Sequence, residues 1–298
     1  MVEACPLCGK SEFAQRFYSA DKHHNTSIMS RVVECKGCTL VFLNPMPSEQ
    51  QSKALYPESY LPHQAYKSAP NRLKMLLSKL SLPNPNYEPQ FSRPGRVLDI
   101  GCGSGGFLSQ AKSRGWETFG VELNPSAAAS GQNAGLDIFA GSLREAAFKD
   151  HFFDYIRLSH SLEHMVNPNE TLAGIRRIIK REGKLFISVP NIAGLAPRVF
   201  GEYWWNLALP VHIFHYSPKT LSLLLENNGF DVIKVAFNSS YPGIFTSLQL
   251  VRNRATRSLA NDGKILPITK IFGHWLAKAT DVIRMGDIVE VNAKPRDD

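Results

Sequence analysis

The feature that most constrains the fold is a regular alternation of apolar runs and helix-forming segments from Arg96 onward. The runs that predict strands are RVLDI, WETFGVE, LDIFAG, FDYIRLS, KLFISVP, FDVIKVAF and DIVEVNAK. The segment SPKTLSLLLENNG predicts a helix capped by Ser217 and ended by Gly229, and NPNETLAGIRRIIKREG predicts one that follows Asn167 and ends at Gly183. This alternation predicts a mainly parallel sheet with both faces covered.

The composition fits a protein with a packed core, because 43% of the 298 residues are apolar and 20% are charged. We expect no signal peptide in MVEACPLCGK and no transmembrane segment, since no run approaches ~18 apolar residues. Four of the five cysteines form two Cys-x-x-Cys pairs, which favours metal binding in a reducing, cytoplasmic setting. The net charge of +8 is scattered and is weak evidence for a nucleic-acid partner.

Three regions differ in composition. Residues 1–45 carry the cysteine pairs and two strand-like runs, and predict a small zinc-ribbon-like domain. Residues 46–93 contain a short amphipathic helix around NRLKMLLSKL and the run LPNPNYEPQFSRPG, a predicted linker because its prolines lack backbone N–H groups. Residues 94–298 hold the α/β pattern and predict the main domain.

A glycine-rich turn, GCGSGG, follows the first predicted strand directly after Asp99. Gly101, Gly103 and Gly105 allow positive φ angles and a close approach of backbone to a ligand. The turn also satisfies the Gly-x-Gly-x-x-Gly fingerprint, which leaves NAD as an alternative cofactor. An aspartate, however, attracts the cationic groups of S-adenosylmethionine (SAM) and repels a pyrophosphate. With Glu122 ending the second strand, where it can accept both hydroxyls of a ribose, the pattern favours SAM.

The motifs VLDIGCGSGGFL and GVELNP resemble motif I and the acidic ribose-binding position of class I SAM-dependent methyltransferases. The resemblance continues through FDYIRLSHSLEHMVNP, GKLFISVPN, PVHIFHYSPKTLSLLLENNGF and GDIVEVNAK. It implies a Rossmann-like α/β fold with a seven-stranded, mostly parallel sheet whose last strand is antiparallel. The start, with CPLCG and CKGCTLVFLNPMPS, resembles the amino-terminal element of a zinc-ribbon-bearing subgroup linked to sugar and glycan biosynthesis.

The resemblance also implies the cofactor-binding residues. The glycine turn would hold the methionine end of SAM, Ser142 and Leu143 the adenine, and Ser159 or His160 would line the methionine and acceptor side. An aspartate often stands in the family at the position of Ser142. Cys102 lies within the turn and is expected to serve in packing. The expected set is Asp99, Gly101, Cys102, Gly103, Gly105, Glu122, Leu123, Ser142, Leu143 and Ser159.

The cysteine pairs predict a closed zinc site. Cys5 with Cys8 and Cys35 with Cys38 form two knuckles, and 26 residues separate Cys8 from Cys35. Four thiolates complete a tetrahedral Zn²⁺ site that has no open position for chemistry, so the ion would be structural or help substrate docking. The alternative is four unrelated buried thiols.

Two histidine-containing segments are candidates for catalysis. HSLEH offers His160, Glu163 and His164, and PVHIFHY offers His212 and His215. A hydroxyl acceptor must lose a proton, and histidine is the usual base near neutral pH, so we expect His164, His160, Glu163 and His212 to be catalytic. Packing is the alternative for the second segment. The sequence LEH also resembles ubiquinone O-methyltransferases that associate an acid, this Glu and this His with a divalent metal; here His160 replaces the first acid.

Two further segments are singled out by their apolar residues. Residues 191–216 are long for a connection, and Phe200, Tyr203, Trp204 and Trp205 predict either a lid over the acceptor or a buried aromatic core. Residues 265–283 predict an amphipathic helix that packs on the sheet or a second subunit, with a membrane surface as the alternative.

The sequence as a whole predicts a SAM-dependent methyltransferase that acts on a small-molecule or carbohydrate acceptor, most readily at oxygen. The alternatives are an RNA methyltransferase with a docking ribbon, a non-catalytic SAM-binding protein and an NAD oxidoreductase. The sequence lacks the dense Lys/Arg stripe with interleaved aromatic residues that would track a nucleic-acid backbone. For the oligomeric state, we keep a homodimer as an alternative to a monomer.

Overall fold

The computed structural model describes residues 2–22, 28–55, 94–239, 241–256, 273 and 277–297. The predicted helix around residues 71–80, the proline-rich linker and most of the predicted amphipathic helix lie outside these residues. Within the described part, no helix has the length and apolar character needed to cross a bilayer. The chain divides into two compact units, a first drawn from Met1–Tyr56, Leu158–Arg176 and Leu185–Asp298, and a second drawn from Pro57–Arg157 and Arg177–Lys184.

The principal sheet has seven strands, and the predicted α/β fold is confirmed. In chain order they are β4 (Arg96–Ile100), β5 (Glu117–Glu122), β6 (Asp137–Ala140), β7 (Phe153–Ser159), β8 (Ile179–Pro190), β10 (Phe230–Phe237) and β11 (Ile288–Pro295). Their order in the sheet is β10-β11-β8-β7-β4-β5-β6. Strand β5 is parallel to β4 and β6, whereas β11 is antiparallel to β8 and β10, as the resemblance implied for the last strand.

A second sheet of four strands lies next to the cysteine pairs in sequence: Cys5 and Cys8 precede its first strand, Cys35 ends its second, and Cys38 comes before its third. It is formed by β1 (Phe13–Ala20), β2 (Met29–Cys35), β3 (Val41–Leu43) and β9 (Phe214–His215), in that order and with all neighbours antiparallel. The sequence predicted the two amino-terminal strand-like runs. It did not predict that the fourth strand comes from the long segment 191–216, more than 170 residues further along the chain.

Within the described residues, the α-helices with defined bounds are α1 (Glu49–Ala54), α2 (Gly106–Ser113), α3 (Pro125–Asn133), α4 (Pro168–Ile178), α5 (Leu195–Phe200), α6 (Pro218–Asn227) and α7 (Tyr241–Thr256). The predicted capping of α6 is confirmed: the Ser217 hydroxyl accepts from the Thr220 N–H, the Thr220 hydroxyl accepts from the Ser217 N–H, and Gly229 follows with φ +76°. These contacts satisfy donors that a helix start leaves unpaired.

The predicted end of the helix after Asn167 is wrong. Helix α4 ends at Ile178 rather than at Gly183, and the next residues already belong to β8. Ile178 and Ile179 are buried to 1% and 0% exposure, and β-branched side chains favour a strand on such a surface. Lys180, in β8, donates to the carboxylate of Asp154 in β7 at 2.6 Å.

The aromatic segment contributes to the core at one position. Trp204 is 1% exposed and its indole N–H donates to the Asp287 carboxylate at 2.6 Å. Asn206 donates to the other Asp287 oxygen at 2.8 Å. The neighbouring Tyr203 and Trp205 are partly exposed, so the segment is neither wholly core nor wholly surface.

Asp287 is expected to make the protein less stable as the pH rises from about 4 to about 6. Burial, opposed by the bonds from Trp204 and Asn206, raises its pKa from 3.8 to about 6. Between these pH values the folded state therefore holds a proton that the unfolded chain releases. This proton contributes on the order of 2–3 kcal/mol to the free energy of unfolding; the contribution is complete below pH ~4 and is lost near pH 6. Chemical denaturation across this range should show that Asp287→Asn removes this slope. Asp231→Asn, at an exposed ion pair with Arg296, is the control; an equal slope in the Asp287 variant contradicts the assignment.

Candidate functional site

The second unit contains the glycine-rich turn between β4 and α2. Gly101, Gly103 and Gly105 have φ angles of +76°, +55° and +80°, a region that side chains with a Cβ atom rarely adopt. A Cβ atom on Gly105 would lie 2.3 Å from Leu136 Cδ1. The glycines therefore make a strand-to-helix turn that other residues would strain, and the first N–H groups of α2 face that turn.

Glu122, at the end of β5, is bound to this turn. One carboxylate oxygen accepts from the Gly103 N–H and the other from the Asn124 N–H, both at 2.8 Å. A carboxylate has about four acceptor positions, so each oxygen retains the capacity for a further donor such as a ribose hydroxyl. Leu123, next to it, is 54% exposed and offers an apolar surface. The donor and acceptor groups present here fit the ribose part of SAM.

Asp99 has a partner that the sequence interpretation missed. Its carboxylate is 2% exposed and accepts from the Arg157 guanidinium at 2.8 Å, while that guanidinium lies 4.5 Å from the centroid of the Phe107 ring. Burial raises the pKa of Asp99, and Arg157 opposes that rise. An arginine inside the apolar strand FDYIRLS was the available signal, because a buried guanidinium needs an acceptor.

The remaining residues expected at the cofactor differ in their surroundings. The N–H and hydroxyl groups of Ser142 both donate to Glu145 at 2.7 Å, and Ser142 and Leu143 are partly exposed. Cys102 is buried with Leu108, Ala128, Leu136 and Ile138 in an apolar cluster, as expected for packing. Ser159 ends β7 and is partly buried.

The first unit brings together the four residues expected to be catalytic. Glu163 lies in a single 3₁₀ turn after β7 and is 1% exposed. One of its oxygens lies 3.5 Å from His160 Nδ1 and 4.0 Å from His212 Nε2. Among the described residues, neither Glu163 oxygen accepts a hydrogen bond. His160 has φ +54° and a side chain 47% exposed, so it joins the buried carboxylate to the surface.

Backbone carbonyls orient the other two imidazoles. His164 Nδ1 lies 2.9 Å from the Val211 carbonyl oxygen, and His212 Nδ1 lies 2.8 Å from that of Asn206. Since a carbonyl only accepts, Nδ1 is the donor in both contacts. The two rings meet edge to face with centroids 4.6 Å apart. One ligand atom each from Glu163, His164 and His212 lies within 4.8 Å of the others, a set that can hold a cation.

His215 fits the packing alternative better than a catalytic role. It is 1% exposed, and burial, with a smaller effect of Arg16, lowers its pKa to about 3. The ring therefore stays neutral at physiological pH. Next to it, burial and then the Glu163 charge raise the pKa of Tyr216 well above its usual value.

The four cysteines converge as the sequence predicted. The sulfurs of Cys5 and Cys38 are 3.6 Å apart, those of Cys8 and Cys35 are 3.5 Å apart, and all four lie within 4.8 Å of one another. Tetrahedral zinc with Zn–S bonds of about 2.3 Å would place its sulfurs roughly 3.8 Å apart. Four thiols at these distances fit a structural zinc ion.

The turns around the cysteines have the form of zinc knuckles. The Gly9 N–H donates to the Cys5 carbonyl and the Thr39 N–H to the Cys35 carbonyl, each at 2.9 Å. Gly9 and Thr39 both have positive φ, at +73° and +70°. Thr39 thus has, in the second knuckle, the same positive-φ conformation that Gly9 has in the first.

Purified protein is expected to contain one zinc ion per chain at this site. Cys38→Ser removes one of four thiolate ligands and should lower the zinc content measured by elemental analysis, because a closed site needs all four ligands. Cys102→Ser, in the apolar cluster of the second unit, is the matched control and should retain the ion. Folded wild-type protein that contains no metal would show that the site is four buried thiols.

The chain belongs to a family of methyltransferase domains, whose model matches residues 66–235, more than half of its 298 residues. A ubiquinone biosynthesis O-methyltransferase from Xanthomonas oryzae pv. oryzae is 32% identical over 146 residues, covering 44% of this chain and 61% of that protein. An uncharacterized protein from Methanocaldococcus jannaschii is 25% identical over 140 residues, covering 47% of this chain and 66% of that one. The chain thus spans less than two thirds of either relative.

The fold has counterparts among solved structures. A crystal structure of a SAM-dependent methyltransferase from Archaeoglobus fulgidus matches 80% of this chain and 100% of its own, with a TM-score of 0.51 and 22% identity. At that identity the similarity concerns the fold.

Proposed function

We propose that the protein is a SAM-dependent methyltransferase that methylates a hydroxyl oxygen of a small-molecule acceptor, a class that includes sugar-containing compounds. The observation that carries the proposal is the buried Glu163 carboxylate facing the half-exposed His160 just after β7. Family membership and the glycine turn support methyl transfer. The O-methyltransferase among the relatives supports oxygen as the accepting atom.

The second unit would bind the cofactor. Bound SAM supplies a methyl group on a positively charged sulfur. Glu122 accepts ribose hydroxyls with the acceptor positions that Gly103 and Asn124 leave available, and the exposed Leu123 covers an adjacent apolar surface. We keep Ser142 and Leu143 as the proposed adenine contacts. Asp99, paired with Arg157, gives the turn a compensated rather than a bare negative charge.

His160 is the proposed base. An acceptor oxygen has to approach the methyl carbon to about 3–3.5 Å, and it reacts faster as its proton leaves. Glu163 faces Nδ1 of His160, which leaves Nε2 to take that proton and stabilises the resulting imidazolium. The positive φ of His160 supports this role, because strained backbone away from glycine concentrates at functional sites. His164 and His212, bound through Nδ1 to backbone carbonyls, line the same cluster.

A divalent cation is the second candidate chemistry for this cluster. It is favoured by the convergence of Glu163, His164 and His212 within 4.8 Å. A bound ion would stabilise negative charge on the acceptor oxygen. Elemental analysis separates the candidates: a second metal per chain that is lost in Glu163→Gln supports the cation, and one metal per chain supports the base.

Glu122→Gln is expected to weaken SAM binding by about 1–3 kcal/mol, or about 5- to 150-fold in Kd. The substitution removes a charged acceptor and turns a donor toward the N–H of Gly103 or Asn124. Isothermal titration with SAM measures the change. Glu117→Gln, at the other end of β5 in an exposed pair with Arg96, is the control. Equal affinities of the two variants would exclude Glu122 from the site.

His160→Gln is expected to lower kcat about 10²- to 10⁴-fold with little change in SAM affinity, because it removes the proton acceptor and not a cofactor contact. His151→Gln is a matched control: His151 precedes β7, is exposed and also has positive φ, at +50°. The measurement is methyl transfer at saturating SAM. Full activity in the His160 variant would contradict the base assignment.

Methyl-labelled SAM incubated with the small-molecule, lipid and RNA fractions of cells tests the reaction class. Label transferred to a small molecule through an alkali-stable ether supports the proposal. Label in RNA would contradict it and favour an RNA methyltransferase. SAM binding without transfer to any fraction would favour a binding protein.

A further inference from the structure

The cysteine-bearing sheet and the histidine cluster are joined through main-chain hydrogen bonds within the first unit. Strand β3 begins three residues after Cys38. On the side away from β2 it pairs with β9, so that Val41 lies opposite His215 and Phe42 opposite Phe214. The ladder continues beyond the strand, since the Leu43 N–H donates to the Ile213 carbonyl at 2.9 Å. The position of β3 therefore sets the position of the segment that follows His212.

The segment 211–213 also binds the turn that contains Glu163. The Ile213 N–H donates to the Glu163 carbonyl at 2.8 Å, so Ile213 uses both backbone groups to connect Leu43 to Glu163. Two residues earlier, the Val211 carbonyl binds His164 Nδ1. The orientations of Glu163 and His164 thus depend on three consecutive residues, 211–213, whose register is fixed by β3.

A second connection starts at the first knuckle. The Pro6 carbonyl accepts from the Asn169 side chain at 3.1 Å, and the Leu7 carbonyl accepts from the Asn227 side chain at 3.3 Å. Asn169 lies in the first turn of α4, five residues after His164, and Asn227 ends α6. Pro6 and Leu7 also line, with Phe214, a small apolar cleft. The first knuckle therefore contacts α4 and α6, and the second knuckle leads into β3.

We propose that the cysteine element is a positioning device for the acceptor side: metal binding at its four cysteines holds β3 and the first knuckle in place, and these hold Glu163, His164 and His212. The inference rests on the proposed function for the meaning of the cluster. None of the connecting residues belongs to the second unit, which carries the glycine turn and Glu122. Metal binding should therefore affect acceptor chemistry and leave cofactor affinity unchanged.

The test uses the full-length chain with a metal-site variant and a variant that keeps the metal. Cys38→Ser removes a ligand, and Asn169→Ala combined with Asn227→Ala removes the side-chain contacts to the knuckle carbonyls. Arg16→Gln, which breaks the surface pair with Glu34 on the same sheet, is the control. For each we would record zinc content, SAM affinity, methyl transfer and the imidazole NMR signals, assigned by single His→Gln variants.

The expected result is that Cys38→Ser and the double Asn variant shift the signals of His164 and His212 in the same direction, while Arg16→Gln does not. Methyl transfer should fall by about 10- to 100-fold with SAM affinity within about twofold of wild type. Unchanged signals in both variants overturn the inference, as does a parallel loss of SAM affinity. The signals report positioning even if no acceptor is methylated, so failure of the proposed function is recognised separately, by wild-type protein that transfers no methyl group.

Discussion

A carboxylate that is almost completely removed from water is stable only beside compensating positive charge or hydrogen-bond donors. Glu163 has imidazoles on two sides, 3.5 Å and 4.0 Å from one oxygen; an imidazolium formed at His160 or a cation bound in the cluster would supply that compensation. Its main chain is fixed as well, since its carbonyl accepts from Ile213. The turn after β7 presents this residue, and the segment after β8 brings His212 beside it.

The long segment 191–216 contributes to three different parts of the structure. Its aromatic part enters the core through Trp204, whose indole N–H donates to the buried Asp287 just before β11. Its middle orients His212 through the Asn206 carbonyl. Its end supplies β9 to the second sheet. A segment anchored at three places cannot move freely, which argues against a mobile lid and favours a fixed wall beside the cluster.

Much of the fold could be predicted from the sequence because strands and helices leave periodic patterns. The seven strands, the capping of α6 and the convergence of the four cysteines all follow from local spacing. The end of α4 could not, since IIKREG continues a helical pattern and only the buried surface under Ile179 selects a strand. Strand β9 could not either, because two residues have no period.

The candidate site likewise has features that the sequence predicts and features that it does not. The residues of the glycine turn and Glu122 are close in sequence, and their meeting follows from the parallel order of β4 and β5. The pairing of Asp99 with Arg157 crosses 58 residues, and the choice of His160 over His164 depends on which nitrogen faces Glu163. Spacing alone names the histidines but does not orient their rings.

The pairing of β3 with β9 also bears on how the chain folds. It joins residues about 170 positions apart. Closing such a long loop costs conformational entropy before the contacts between its ends can stabilise the chain. By contrast, β4, β5 and β6 are consecutive and their pairings are local. During synthesis β4, β5 and β6 can pair as soon as they emerge, whereas β1, β2 and β3 have to wait for β9. The sheet that contains β1, β2 and β3 is therefore completed later than the pairings of β4, β5 and β6, although its first strands come earlier in the sequence.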